Sequence, residues 1–169
     1  MTSIGVIVGK PLEIRRLRTL LPDNTKVVLY DTLAKDKRSR VDIFKGIKAL
    51  TVLYEGTIDG KKQGHYVCLI PRAHSIEYFS SLGRSPTDEL NAFHEDNTVF
   101  AKLLGKNYTY NRRKMQLDSY SVDDCGYWCI ARSILSHLKL AAFQKLFTPR
   151  SLKSSDEVLG LMSLLLANR

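Results

Sequence analysis

Apolar residues recur along this chain with two periods, and the switches between them mark out its elements. "PLEIRRLRTLL" places Leu12, Leu17, Leu20 and Leu21 at helical spacing, with Pro11 suited to a first turn and Pro22 ending the run. "KVVLYD" is a short β-rich run. "SRVDIFKGIKAL" puts Val41, Phe44, Ile47 and Leu50 on one side of a helix that Ser39 can cap. "LTVLYEG" predicts a strand closed by glycine, and "TIDGKKQG" a turn-rich, exposed loop. "HYVCLIP" and "SIEYFSS", joined by "RAH", predict a hairpin in the core, with His65 opening its first strand. "GRSPTDELNAFHED" opens a helix with Thr87 as cap and Asp88 and Glu89 in the first turn, where acidic groups complement the dipole. "NTVFAKLLG" predicts a second short helix ending at Gly105, and "YTYNRRKMQL" a strand bent at Asn111. From Cys125 to Leu138 a helix is expected, with Tyr127, Ile130, Ile134 and Leu138 on one face. "SSDEVLGLMSLLLANR" predicts a final helix. Helices and strands mix without strict βαβ alternation, which indicates an α+β fold. No repeat, low-complexity tract or long linker divides the chain, so residues 1–169 are read as one domain.

Composition narrows the class. The 169 residues suffice for one real core, and 44% apolar with 25% charged residues is the balance of a globular protein in water. Apolar stretches are short and interrupted, so no membrane span is expected. "MTSIGVIVGKPLEIRRLR" lacks the basic start and long apolar centre of a secretion signal, which predicts an intracellular or virion-enclosed protein. The thiols Cys68, Cys125 and Cys129 are too few, and odd in number, for a disulfide framework. No second Cys/His pair completes a zinc site around Cys125 and Cys129, so no metal is expected. The net charge is +9. Basic residues cluster at Lys35, Lys37, Arg38 and Arg40, at Lys61 and Lys62, and at Arg112, Arg113 and Lys114. Such clusters favour nucleic acid, acidic peptides or anionic surfaces, or else form a solubilising face.

The candidate chemistry lies in "DSYSVDDCGYWCIARSIL". Cys125 stands where polar loop residues give way to a periodic apolar run. A helix start offers unpaired N–H groups and the positive end of the dipole, and both favour a thiolate. Gly126 adds no bulk beside the sulfur and lets backbone N–H groups approach a substrate oxyanion. Cys129, one turn further, and Cys68, mid-strand, are expected to be buried structural thiols. A thiol needs a base. His74 falls in a turn, His94 on a helix surface and His137 near a helix end. His65, at the mouth of a core strand, is the candidate.

The segments "GHYVCLIP", "IEYFSSLGRSP" and "MQLDSYSVDDCGYWC", in that order, resemble the cysteine peptidases typified by the adenovirus maturation protease and the SUMO-specific proteases. The likeness covers about residues 64 to 138. It implies a papain-like-type peptidase core: a central mixed sheet, with the nucleophile at the N-terminus of a buried helix. It makes Cys125 the nucleophile and His65 the general base, acting through a thioester without a required cofactor. Two positions depart from the pattern. Ser80 stands where the family orients its histidine with Asp, Glu or Asn; Glu77 is ranked below it because strand alternation turns it to the other face. At the oxyanion position the choice lies between Gln116, two or three residues early, and Asp118, whose charge would repel an oxyanion. Tyr66 and Trp128 are candidate substrate contacts. The short chain is more like a viral or mobile-element maturation enzyme, acting as a monomer on capsid or core precursor proteins, with room for activation by DNA or a peptide. Alternatives are a SUMO- or ubiquitin-like-specific protease, a related thioester-forming transferase, or a degraded relative that binds nucleic acid or a capsid partner.

Overall fold

The structure, a computed structural model, describes residues 13–58, 60–93, 95–116, 124–148 and 157–160. Asp118, His94, the first twelve residues and most of the expected last helix lie outside them. Along the chain run α1 (Ile14–Leu20), β1 (Thr25–Leu29), α2 (Tyr30–Lys35), α3 (Arg40–Phe44), β2 (Ala49–Ile58), β3 (Lys61–Pro71) and β4 (Ile76–Ser80). Then follow α4 (Pro86–Ala92), α5 (Thr98–Leu104), β5 (Tyr108–Tyr110), α6 (Cys125–Ile134) and α7 (Leu140–Leu146).

Among the described residues, the strands form one sheet in the order β1-β2-β3-β4-β5. The outer pairs β1–β2 and β4–β5 are parallel, and the inner pairs are antiparallel. Strand alternation splits the core in two. Leu53, Tyr66, Cys68, Ile70 and Phe79 face α1, α6 and α7, while Val52, Tyr54, Val67, Leu69 and Tyr78 face α2 to α5. With helices on both faces, all five residues of β4 are buried. The expected α+β architecture, with a central mixed sheet and Cys125 opening a buried helix, is present.

Several expected boundaries move, each for a local reason. The run "KVVLYD" leaves its strand at Leu29, because Tyr30 turns into α2 and packs edge-on against Tyr54 and Phe100 at 5.4 and 5.3 Å. Ser39 does cap α3, accepting from Asp42 N–H at 3.2 Å. The helix nevertheless stops before Gly46, whose φ of +72° breaks it. Val41 is therefore 73% exposed rather than on a buried stripe, and Leu50 belongs to β2. The expected loop "TIDGKKQG" is the closed end of the β2–β3 hairpin: Ile58 pairs with Lys61, and Gly60 supplies a φ of +75°. Polar side chains there hid a backbone ladder. His65 consequently lies inside β3, opposite Tyr54, and not at a strand mouth. Ser85, not Thr87, caps α4, with Pro86 in the first turn. α7 was not expected; it buries Phe143 and, just past its end, Phe147.

The turn after β4 is held from both sides. Asn111 accepts from Ser80 N–H at 2.9 Å and donates to Ser80 C=O at 2.6 Å, extending the sheet with a side-chain amide. Gly83 takes φ +70°, and a Cβ there would lie 2.7 Å from Arg113 C and Lys114 N. Gly83→Ala must pay the left-handed penalty of about 1–2 kcal/mol and also move that backbone. It should lower the unfolding free energy from a urea titration by at least this much, whereas Gly46→Ala, with open space around it, should show the conformational penalty alone.

Candidate active site

Cys125 is the first residue of α6, whose next residues Gly126, Trp128, Cys129, Ile130, Ala131, Arg132 and Ser133 are buried. A helix so enclosed cannot shift, so the sulfur is fixed over the sheet. Cys125 itself is 6% exposed and His65 is 5% exposed, a pair sheltered from bulk water yet at the surface. The other two thiols are inert by environment. Burial pushes Cys68 up to about 11 and holds Cys129 well above the ordinary range. Both are fully buried, as the sequence suggested.

Four side chains converge on the His65 ring. The Cys125 side chain acts on it by hydrogen bonding and charge, raising its affinity for a proton. Nε2 lies 3.2 Å from Ser80 Oγ and 3.5 Å from Glu89 Oε1. Phe93 stacks on the ring, with centroids 6.4 Å apart and planes within 18°. Burial alone would lower the imidazole. The bond and charge of Cys125, followed by those of Glu89, outweigh it and raise His65 to about 10. The arrangement favours imidazolium.

Ser80 stands at the end of β4 facing His65, as expected. Its hydroxyl is a junction: it donates to Glu89 Oε1 and accepts from Leu82 N–H at 3.3 Å. Gln116 is also tied into this corner. Ser81 Oγ donates to its Oε1 at 2.7 Å, and its backbone N–H donates to Ser81 C=O at 3.0 Å. The side-chain amide is therefore oriented by Ser81, the residue after Ser80. Glu77 faces away from His65, as alternation required; it binds Arg72 and Arg132 at 2.7 Å each.

The two candidate substrate contacts are both buried. Trp128 is fully buried, its ring edge-on to Phe147 with centroids 4.7 Å apart, so it has no surface for a substrate. Tyr66 is 5% exposed and belongs to the same core cluster as Cys125. Among the basic residues, Lys35, Lys37, Arg38, Arg40, Lys62, Arg112, Arg113 and Lys114 are exposed. They stand on separate segments. Arg38 is neutralised by Asp36 at 2.6 Å, Arg112 lies over the Tyr110 ring at 5.5 Å, and Arg113 bonds Thr148 at 3.0 Å. The side chain of Lys61 lies outside the described residues.

Glu89 is the site residue that the sequence reading missed, having placed it in the first turn of a helix as a complement to the dipole. It is fully buried. Ser85 and Pro86 start the helix so that residues 86, 89, 90 and 93 share the inward face. A carboxylate in step with Leu90 and Phe93 was the available signal.

No family model matches the chain. Its sequence is similar to the uncharacterized protein V9 of Sputnik virophage, 28% identical over 138 residues, covering 75% of this chain and 77% of that protein. Among solved structures it is similar to the C-terminal Ulp1 protease domain, crystallised in complex with Smt3, the yeast ortholog of SUMO. That likeness has a TM-score of 0.38 at 13% identity, over 90% of this chain and 72% of the other.

Proposed function

We propose that this protein is a cysteine endopeptidase in which Cys125 attacks a peptide carbonyl and His65 manages the proton. The reading rests on one observation: a cysteine at the start of a buried helix acts on a buried imidazole whose Nε2 faces a hydroxyl and a carboxylate. In this scheme the thiolate of Cys125 forms the C–S bond of a tetrahedral intermediate. Backbone N–H groups at the α6 start and the Gln116 amide stabilise its oxyanion. His65 gives its proton to the leaving amine, and the C–N bond breaks to leave a thioester. Water, deprotonated by His65, then releases the acid and restores the thiol. Similarity to an uncharacterized protein of Sputnik virophage supports a viral setting, in which capsid or core precursors would be the substrates.

The deciding experiment is alkylation of Cys125 by iodoacetamide against pH, read by peptide mass spectrometry. Rapid labelling of Cys125 at mildly acidic pH, with Cys68 and Cys129 untouched, supports the enzyme. An ordinary alkaline thiol profile would leave a binding module as the better reading. A second expectation concerns turnover of a precursor peptide. Folding raises His65 above its ordinary 6.5, so its proton is kept through neutral pH and released as pH rises through about 10. The alkaline limb of kcat/KM should fall there.

A further inference from the structure

Ser80 carries no charge, yet it occupies the place from which a histidine partner is expected to act. Behind it stands Glu89, fully buried on the inward face of α4. Its Oε1 accepts from Ser80 and lies 3.5 Å from His65 Nε2, while no hydrogen-bond donor among the described residues reaches Oε2. A buried carboxylate so sparsely bonded is costly unless a cation compensates it. Its charge acts on His65 from β3, Tyr78 from β4, Tyr54 from β2, Cys129 from α6 and Arg84 from the turn, and Ser80 bonds it directly. Tyr54 and Tyr78 bond each other at 3.2 Å, and Glu89 contributes to holding both phenols neutral, as burial does. Burial would raise Glu89, but the bond and charge of His65, ahead of Ser80 and Arg84, bring it below its usual range. His65 is thus its principal counter-charge.

We infer that Glu89 is the positioning acid of His65, supplied by helix α4 and bridged by the Ser80 hydroxyl, in place of a carboxylate at the end of β4. Ser80 accepts the imidazolium N–H and passes its own proton toward Glu89 as a hydrogen bond. The hydroxyl thereby orients the ring, and the carboxylate supplies the negative charge that the hydroxyl lacks. No bond is made or broken at either residue. The inference rests on the Cys125–His65 reading for its catalytic meaning, but the Glu89–His65 coupling is measurable without turnover.

The test is an NMR titration of histidine-labelled full-length protein, alongside the Cys125 alkylation profile. In Glu89→Gln the His65 midpoint should fall by about 1–3 pH units. In Ser80→Ala it should fall less, since the 3.5 Å approach of Glu89 remains. In Ser80→Asp combined with Glu89→Gln it should recover, because a carboxylate then faces Nε2 directly. A merely structural role would not restore the midpoint in that double variant. A folded Glu89→Gln protein whose His65 titrates as in wild type overturns the inference. Should Glu89→Gln not fold, the wild type decides: the Glu89 carboxyl carbon must shift as His65 titrates, and a flat response overturns it. Slow Cys125 labelling in a wild type that still shows this coupling would sink the enzyme reading alone.

Discussion

Replacing His65 by alanine should slow alkylation of Cys125 at pH 6 by tens of fold and abolish peptide hydrolysis. A thiol with the ordinary pKa near 8.5 is only about 0.3% thiolate at pH 6. Against a fully ionised partner this is a factor of about 300, reduced to tens because a stabilised thiolate is intrinsically less nucleophilic. Turnover falls further, since the same imidazole must also protonate the leaving amine; general acid–base catalysis contributes about 10²–10⁴-fold. The variant should fold. His65 lies inside β3, where the backbone ladder to β2 and β4 does not depend on its side chain, and its loss removes a buried cation from Glu89, which can take up a proton instead. Far-ultraviolet circular dichroism and the Cys68 and Cys129 labelling pattern separate a lost pair from a loosened core. Equal labelling rates in wild type and His65→Ala would mean that the imidazole does not activate this thiol.

The sequence disclosed the reacting pair because each member sits at a recognisable boundary. Cys125 falls at a polar-to-periodic switch with glycine behind it, and His65 in a β-rich run after Gly64. Alternation alone sufficed to send Glu77 to the face opposite Ser80. The hairpin end was misread because side-chain polarity says nothing about whether a backbone ladder continues, although "DG" between the runs "TI" and "KK" was a turn signal. Glu89 was missed for a different reason. An acidic residue early in a helix has a ready surface explanation in the dipole, and only its step with Leu90 and Phe93 argues otherwise. Trp128 illustrates the converse. Beside a nucleophile an aromatic invites a substrate role, but the helical period puts residue 128 over the core with Phe147.

The largest stability effect is expected at Arg132, a charged residue on the same buried helix as Cys125. It lies two turns after the cysteine and is fully buried. Its Nε donates to Glu77 Oε1 at 2.8 Å, Nη1 to Leu135 C=O at 2.6 Å and Nη2 to Leu138 C=O at 2.9 Å. The guanidinium also lies 4.8 Å from the Phe143 ring centroid. One side chain thus ties the last carbonyls around the α6 C-terminus to a carboxylate on β4 and a ring on α7. The positive charge complements the negative end of the helix dipole. Arg132→Ala removes these bonds together and leaves a cavity under Phe143. Glu77 retains Arg72, which also reaches Ser136 and Leu138 C=O, so the buried acid is not wholly uncompensated. The cost should fall near the lower end of the range for breaking a buried pair, about 3 kcal/mol. Arg72→Ala, at a partly exposed position, should cost clearly less in the same urea titration. If Arg132→Ala and Arg72→Ala shift the midpoint equally, the guanidinium is not the anchor assigned to it here. The network also bears on the chemistry. Glu77 and Ser80 are on one strand, and Arg132 and Cys125 on one helix, so the ion pair fixes the axial position of α6 against the strand that faces His65. Arg132→Lys keeps the charge but not the fork of donors, and can satisfy only part of this set. It should therefore lower the Cys125 alkylation rate along with stability, because the sulfur is positioned by the whole length of its helix.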